Sequence, residues 1–291
     1  MFELTLQAVY SGLLAGGWYA MVALGLALVF GTMRIINLAH GELVLLAAYV
    51  AFEMERSFGL NPIAAIPVAL VVVGLTALLV YFLIGRIRHD RELNSLILTF
   101  GIAIVLTNVI LMTWSADIRS TSVGWFMDGA VIADTLFSMN SEVLFFGAGV
   151  ALVGGTYWWL NHTWHGRALR AVSSNRNAAM LMGVNPARVE AMSFVVSAVL
   201  ATVSGVALYT ASVVFPALGH GLTIKAFVIT VLAGLGSVPG VLLGAVILGV
   251  GETMTATFAK PSLQELTGMV IFLLILFLRP SGLFGRKVVG K

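Results

Sequence analysis

Apolar residues run in long blocks along this chain, separated by short polar breaks. A membrane-spanning helix needs about 20 such residues at 1.5 Å rise each. Blocks of that kind occupy 5–33, 43–54 with an irregular lead-in from 35, 62–85, 96–114, 142–160, 189–212, 222–252 and 263–278. The block at 222–252 is too long for one straight helix. It is interrupted at Gly234-Leu235-Gly236-Ser237-Val238-Pro239-Gly240, so it reads as two shorter helices meeting at a turn. The pattern predicts an all-α polytopic membrane protein of about nine crossings, within a range of roughly eight to ten. Broken or re-entrant elements are expected near 35–42 and 234–240. Unbroken apolar runs of this length exclude a β-barrel, whose strands alternate. Residues 1–291 read as a single transmembrane domain.

Composition sharpens this. The chain of 291 residues is 59% hydrophobic and 10% charged, with mean hydropathy +1.02. Soluble domains carry about 25% charged residues. An ordinary soluble enzyme and a disordered regulator are excluded. The net charge of +3 does not indicate a nucleic-acid partner, because the bases form short clusters between apolar runs. Membrane lipid is the expected surrounding. With no cysteine there is no disulfide, thiol chemistry or cysteine metal site. No metal site and no cofactor are expected. Met1-Phe2-Glu3 lacks the basic start of a cleaved signal peptide, and the uncharged run from Leu4 to Met33 is too long for one. It reads as a retained first span.

Lys and Arg set the orientation. Arg34, the loop with Arg86, Arg88 and Arg91, the loop with Arg167, Arg170, Arg176 and Arg188, and the tail 279–291 with Arg279, Arg286, Lys287 and Lys291 hold most of the 16 bases. Glu53, Glu55, Asp117, Asp128, Asp134 and Glu142 lie between them. The expectation is a multi-pass protein of a bacterial inner membrane, N-terminus outside and C-terminus cytoplasmic.

Polar residues at membrane depth are costly and therefore informative. The densest group is Arg34-Ile35-Ile36-Asn37-Leu38-Ala39-His40-Gly41-Glu42. Two readings stand. One is a half-helix or re-entrant element beside a translocation path. The other is an interfacial turn in which Asn37, His40 and Glu42 cap the next helix. Thr99, Thr107 and Asn108 fit helix-to-helix hydrogen bonding or path lining. Gly234, Gly236 and Gly240 form the second break. Gly12 and Gly16, like Gly236, Gly240 and Gly244, have the four-residue spacing that lets transmembrane helices pack tightly. Lys225 and Glu252 are expected to snorkel to an interface. The path candidates are thus Asn37, His40, Glu42, Thr99, Asn108, Gly234, Gly236 and Gly240.

Several motifs fail. Gly285 to Lys291 spells G-R-K-V-V-G-K, without the Ser or Thr and the strand–helix context of a phosphate loop. The chain is therefore read as a non-enzyme with no ATP site of its own. His40-Gly41-Glu42 is not a zinc-protease motif. Asn161-His162-Thr163 matches a glycosylation sequon on the expected cytoplasmic side and is read as chance. Ser204-Gly205 would need a base that nothing places nearby.

The longest basic loop, within 162–188, holds Arg170 and then Ser173-Ser174-Asn175-Arg176-Asn177-Ala178-Ala179-Met180-Leu181-Met182-Gly183-Val184-Asn185-Pro186. Ser174 or Asn175 can cap a short helix over 176–182. Gly183 ends it, and Pro186 prevents its resumption until the next span begins near Arg188. An exposed, partly apolar helix lies on the membrane surface or docks into a partner.

Asn177-Ala178-Ala179-Met180-Leu181-Met182-Gly183 resembles the E-A-A-x-x-x-G loop with which ABC importer permeases engage their ATPases. Asn stands for the usual Glu, and the I-x-L-P continuation is missing. Over nearly its full length the chain resembles branched-chain amino acid permeases of the LivH type. The resemblance rests on Leu24-Gly25-Leu26 through Phe30-Gly31, Ile36 to Glu42, the loop above, Val231 to Gly240, and Arg279-Pro280-Ser281-Gly282-Leu283-Phe284-Gly285. It implies a permease subunit of an ABC importer for leucine, isoleucine and valine. It implies a second permease of the LivM type, two cytoplasmic ATPase subunits and a periplasmic or extracellular substrate-binding protein. Arg170, Asn175, Arg176, Asn177, Ala178, Ala179, Met180, Leu181, Met182 and Gly183 would then form the ATPase-coupling segment. The rivals are the same architecture carrying urea or short amides, a stand-alone channel or secondary transporter, and an intramembrane hydrolase.

Overall fold

The computed structural model describes residues 1–87, 89–132, 135–234, 236–279 and 282–284. Arg88, Ala133, Asp134, Leu235, Pro280, Ser281 and the run 285–291 lie outside the described residues, and with them most of the basic tail. The elements are α1 Phe2–Met33, α2 His40–Phe58, α3 Ile66–Gly85, α4 Arg91–Trp114, α5 Gly124–Met127, β1 Gly129–Ile132, β2 Leu136–Met139, α6 Asn140–His162, α7 Trp164–Ser174, α8 Arg176–Leu181, α9 Pro186–Ala211, α10 Leu218–Ala233, α11 Val238–Phe258 and α12 Gln264–Leu278. Each of the nine expected apolar segments is a helix. Seven are long and apolar enough to cross a membrane; α10 is shorter, and α2 carries Glu42 at its start and Glu53, Glu55 and Arg56 at its end.

Helix ends follow local chemistry. Asn61 accepts from the Ile63 N–H at 2.9 Å and Pro62 follows it, which opens the turn into α3. Ser237 accepts from Gly240 N at 3.2 Å and starts α11. Gly59 closes α2 in the left-handed region, at φ 64°. Pro186 does not delay α9: it is the first helical residue, where its missing N–H costs nothing, and Asn185 caps it.

The bundle has an inner and an outer set. Helix α2 is buried on every side from His40 to Phe52, as expected for a helix apolar all round. It packs on α9, α10, α3 and α4, while α1 packs on α11, α9, α6 and α10. Helices α3, α4 and α12 expose most of their apolar surface to the surroundings. Glycines set the inner distances. A Cβ on Gly205 of α9 would lie 2.1 Å from Val44 O of α2, and one on Gly12 would lie 2.5 Å from Val250 Cα of α11. A Cβ on Gly16 would meet Val246 Cα at 2.7 Å. The glycine spacing therefore marks helix packing in this chain.

The two ends of the bundle differ in charge. Residues 115–132 and 135–139 cover one end, where Glu55 accepts from Thr121 and Ser122, Arg119 pairs through its backbone with Val214, and Gln7 exchanges hydrogen bonds with the Phe137 backbone. The opposite end gathers Arg34, Arg86, Arg91, the α7–α8 arm and Arg279.

The elements α5, β1, β2 and α7 were not anticipated. The strands β1 and β2 form a small antiparallel hairpin, too short for an alternating pattern to stand out. Helix α7 precedes the expected helix at 176–182. Thr163 caps it by accepting from Gly166 N, and Ala168, Leu169 and Val172 bury one face. Replacing Gly205 by Val should lower the melting temperature of the purified protein, because over-packing here costs about 1–3 kcal/mol or more. Gly154→Val, with open space at its Cβ position, should leave it near the wild-type value.

Candidate functional site

The most irregular backbone at depth lies between α1 and α2. Arg34 ends α1 in the left-handed region, at φ 55°, with its N–H on Phe30 O at 2.8 Å. The chain then turns back along α1 instead of leaving the bundle. The His40 imidazole lies against Gly25, and its Nε2 is 2.8 Å from Val22 O. Val22 lies three turns before the end of α1, roughly 16 Å at 1.5 Å per residue. The link 34–39 can reach about 20 Å when extended. Helix α2 therefore starts inside the bundle.

Backbone groups at such depth must be satisfied by protein. The Leu38 N–H donates to Thr99 Oγ1 at 3.1 Å, and Ala39 N–H to Asn37 Oδ1 at 3.1 Å. The Gly41 N–H donates to Thr223 Oγ1 at 2.8 Å, and that hydroxyl lies 3.2 Å from Leu38 O. Gly41 is sterically fixed, since a Cβ there would lie 2.0 Å from Gly219 O of α10. The start of α2 is thus clamped between α4 and α10.

Three candidates converge here. Asn37, His40 and Glu42 are 1%, 0% and 2% exposed. Because a carbonyl only accepts, the contact with Val22 O makes His40 Nε2 the protonated nitrogen. Nδ1 is then a bare acceptor, without a partner among the described residues. Glu42 Oε2 is likewise unpartnered, although the carboxyl packs on Gly219 in the first turn of α10. A buried carboxylate beside a helix N-terminus and an unused imidazole nitrogen can receive a cationic or hydrogen-bonding group. In this conformation the chain itself encloses them, so a ligand reaches them only after the helices move.

The other candidates lie elsewhere. Thr99 joins the group through Leu38. Asn108 sits on the outer face of α4 and donates to Ile104 O of its own helix. Gly234 and Gly236, at φ 88° and 87°, form the turn before α11 at the far end of α1, where Gly236 faces Gly31. Gly240 packs against Ala233 O, and Leu283 and Phe284 hydrogen-bond the end of α10. This turn is therefore apart from His40 and Glu42.

Lys225 and Glu252 do not snorkel. Lys225 Nζ is 2.8 Å from Glu252 Oε2 and 3.0 Å from Tyr19 OH, and Tyr19 OH donates to the same carboxylate oxygen at 2.6 Å. Each charge stands alone in an apolar helix, and the α10–α11 hairpin brings them face to face. That opposition, one base and one acid across a predicted hairpin, is the signal by which the sequence could have revealed the pair.

At the basic end, Asn175 caps α8 by accepting from Ala178 N. Ala179 packs inward, while Leu181 and Met182 are 89% and 83% exposed beside Met180. Gly183 follows at φ 82°. Arg170 hydrogen-bonds Asn161. Arg176 Nε reaches Glu190 Oε1 at 3.0 Å, and Arg91 reaches Glu190 Oε2 at 3.1 Å. Glu190 is buried, and its backbone carbonyl accepts from Ser193, whose Oγ meets Thr32 at 3.0 Å. A chain of polar contacts so runs from α8 to the last turn of α1. Sequence reasoning missed Glu190.

Thr223→Val should destabilise the protein by about 1–3 kcal/mol, because Gly41 N–H is left buried and unmet. Thr223→Ser should restore most of the loss; thermal unfolding in detergent reads both.

The chain matches the model of the family described as "Branched-chain amino acid transport system / permease component" over residues 8–278. It is 28% identical to the high-affinity branched-chain amino acid transport system permease protein LivH of Salmonella typhimurium, covering 98% of this chain and 97% of that one. It is 29% identical to the corresponding permease protein BraD of Pseudomonas aeruginosa, with the same coverage. The solved structure of PsaBC from Streptococcus pneumoniae in complex with Fab aligns with a TM-score of 0.54 at 14% identity, covering 94% of this chain and 93% of that one. That likeness concerns the fold. With an all-α polytopic bundle, a match across nearly every helix and full-length relatives of one kind, this multi-pass membrane protein belongs to the family of branched-chain amino acid transport permease components.

Proposed function

We propose that the chain is the transmembrane permease subunit of an ABC importer that moves leucine, isoleucine and valine into the cell. It pairs with a second permease of the LivM type, binds two cytoplasmic ATPase subunits, and receives substrate from an external binding protein. ATP hydrolysis belongs to those ATPases. The basic end faces the cytoplasm and the end covered by residues 115–132 and 135–139 faces out, in accord with the distribution of Arg and Lys. The observation that carries the reading is α8, a short capped helix at the basic end with a bare apolar tip at Leu181 and Met182. Such a tip suits a groove on a cytoplasmic partner.

On this reading Asn37, His40 and Glu42 line the path once the helices separate, with Thr99 holding the segment. Glu42 meets the substrate ammonium, and the polar chain through Glu190 carries movement of α8 toward α1. Coupling requires contacts that differ between two states.

Uptake of labelled leucine and labelled urea, in cells with and without the gene, tests the proposal. Leucine uptake should fall to background on deletion and at least about tenfold with Leu181→Asp/Met182→Asp, a loss of about 1.4 kcal/mol or more in coupling. Loss of urea uptake alone would change the substrate, and leucine uptake that survives α8 disruption would refute ATPase coupling. If Glu42→Gln and His40→Ala both transport at wild-type rates, the path assignment is wrong.

A further inference from the structure

Lys225 and Tyr19, which pair with Glu252, border a cavity of about 450 Å³ between α1, α6, α9, α10 and the start of α12, toward the end that carries Glu55 and Arg119. Its size falls within the range of roughly 300–1,000 Å³ common to small-molecule sites. Leu14, Leu208, Leu222, Phe145 and Phe215 make its walls aliphatic and aromatic. Lys225 lies on one side, and the carboxylates of Glu142 and Glu265 also line it. An ammonium has three N–H donors. Among the described residues, two of those on Lys225 are met, by Glu252 Oε2 and Tyr19 OH. The third is left for the cavity.

A lysine this far along an apolar helix, with its side chain only 23% exposed, is costly to keep. Glu252 and Tyr19 make it tolerable and hold it at a fixed place, since the Nζ also lies 4.9 Å from the Tyr19 ring centroid. The cavity therefore presents a fixed cation, an apolar wall and rim carboxylates. That set matches a free aliphatic α-amino acid: carboxylate to Lys225, ammonium to Glu142 or Glu265, side chain to the wall. A neutral amide lacks the charges for both ends. The site is separate from Glu42 and His40, because Gly219 and Thr223 face α2 while Gly221, Leu222 and Lys225 line the cavity.

We propose that the cavity bordered by Lys225 is an outer holding site for a zwitterionic aliphatic amino acid, occupied before the path at Glu42 opens. The inference deepens the proposed function and rests on it.

The test uses the assembled transporter with its ATPases and binding protein in proteoliposomes. Labelled leucine uptake is measured against unlabelled leucine, leucinamide and isocaproate as competitors. The variants are Lys225→Arg, the paired Lys225→Met/Glu252→Gln, which leaves no lone buried charge, and Leu222→Trp, which fills the cavity. The proposal expects leucine to compete at least tenfold better than leucinamide. It expects KM to rise at least tenfold in the paired and Leu222→Trp variants, with ATPase activity retained, and to rise less in Lys225→Arg than in the paired variant, because the cation is kept while its geometry changes. Wild-type KM in both the paired and the cavity-filling variants, with uptake intact, would overturn the site. So would equal sensitivity of all variants to added phosphatidylethanolamine with unchanged leucine KM, which would make the cavity a lipid seat. Failure of the wild-type assembly to import leucine would instead refute the proposed function.

Discussion

Unpaired backbone at membrane depth is the constraint on which the rest of this structure depends. Each buried N–H or C=O without a partner costs several kcal/mol in hydrocarbon. The link between α1 and α2 nevertheless runs back into the bundle. It persists because Thr99, Thr223 and Asn37 meet its amides and because His40 locks onto Val22 O. Those partners come from α4, α10, the link itself and α1, so four parts of the chain must be in place at once. The close approaches at Gly25, Gly41 and Gly205 follow from the same requirement, for any larger residue would push a partner out of reach.

An arrangement of that kind can serve a moving protein. The link is tied to α4 through Thr99, and α4 begins at Arg91, which holds Glu190. Glu190 also holds Arg176 at the start of α8. Two routes therefore lead from the exposed helix at the basic end to the backbone at the bundle centre. One passes along α4, and the other through Ser193 and Thr32 to the end of α1. On the proposed function, a displacement of α8 would reach the Thr99 contact with the link by the first route and the end of α1 by the second.

The apolar blocks made the helical architecture legible, because span length is set by bilayer thickness rather than by tertiary detail. The break before Gly240 and the cap at Asn175 were legible too, since Gly, Pro and Asn act locally. Position within the bundle was not. One base and one acid across the hairpin suggest that Lys225 and Glu252 pair, but whether they meet depends on how α10 and α11 turn about their axes. Glu190 has no local signal, because its two arginines come from the starts of α4 and α8. Helix α7 was hidden because its apolar face is only Ala168, Leu169 and Val172 among bases. Asn37, His40, Glu42 and Thr99 share one neighbourhood, whereas Asn108 and the 234–240 turn do not, although all are polar or irregular in sequence.

Helix α2 begins beside the middle of α1. The chain has no cysteine, so pairs can be introduced without background. A short thiol cross-linker applied to Gly25→Cys/His40→Cys and, separately, to Met33→Cys/His40→Cys, read by mass spectrometry, measures it directly. Removing the imidazole also frees the space that a side chain at position 25 requires. Efficient linkage of the first pair and little of the second is expected. The reverse would mean that the link is a surface turn and that α2 starts at the end of α1.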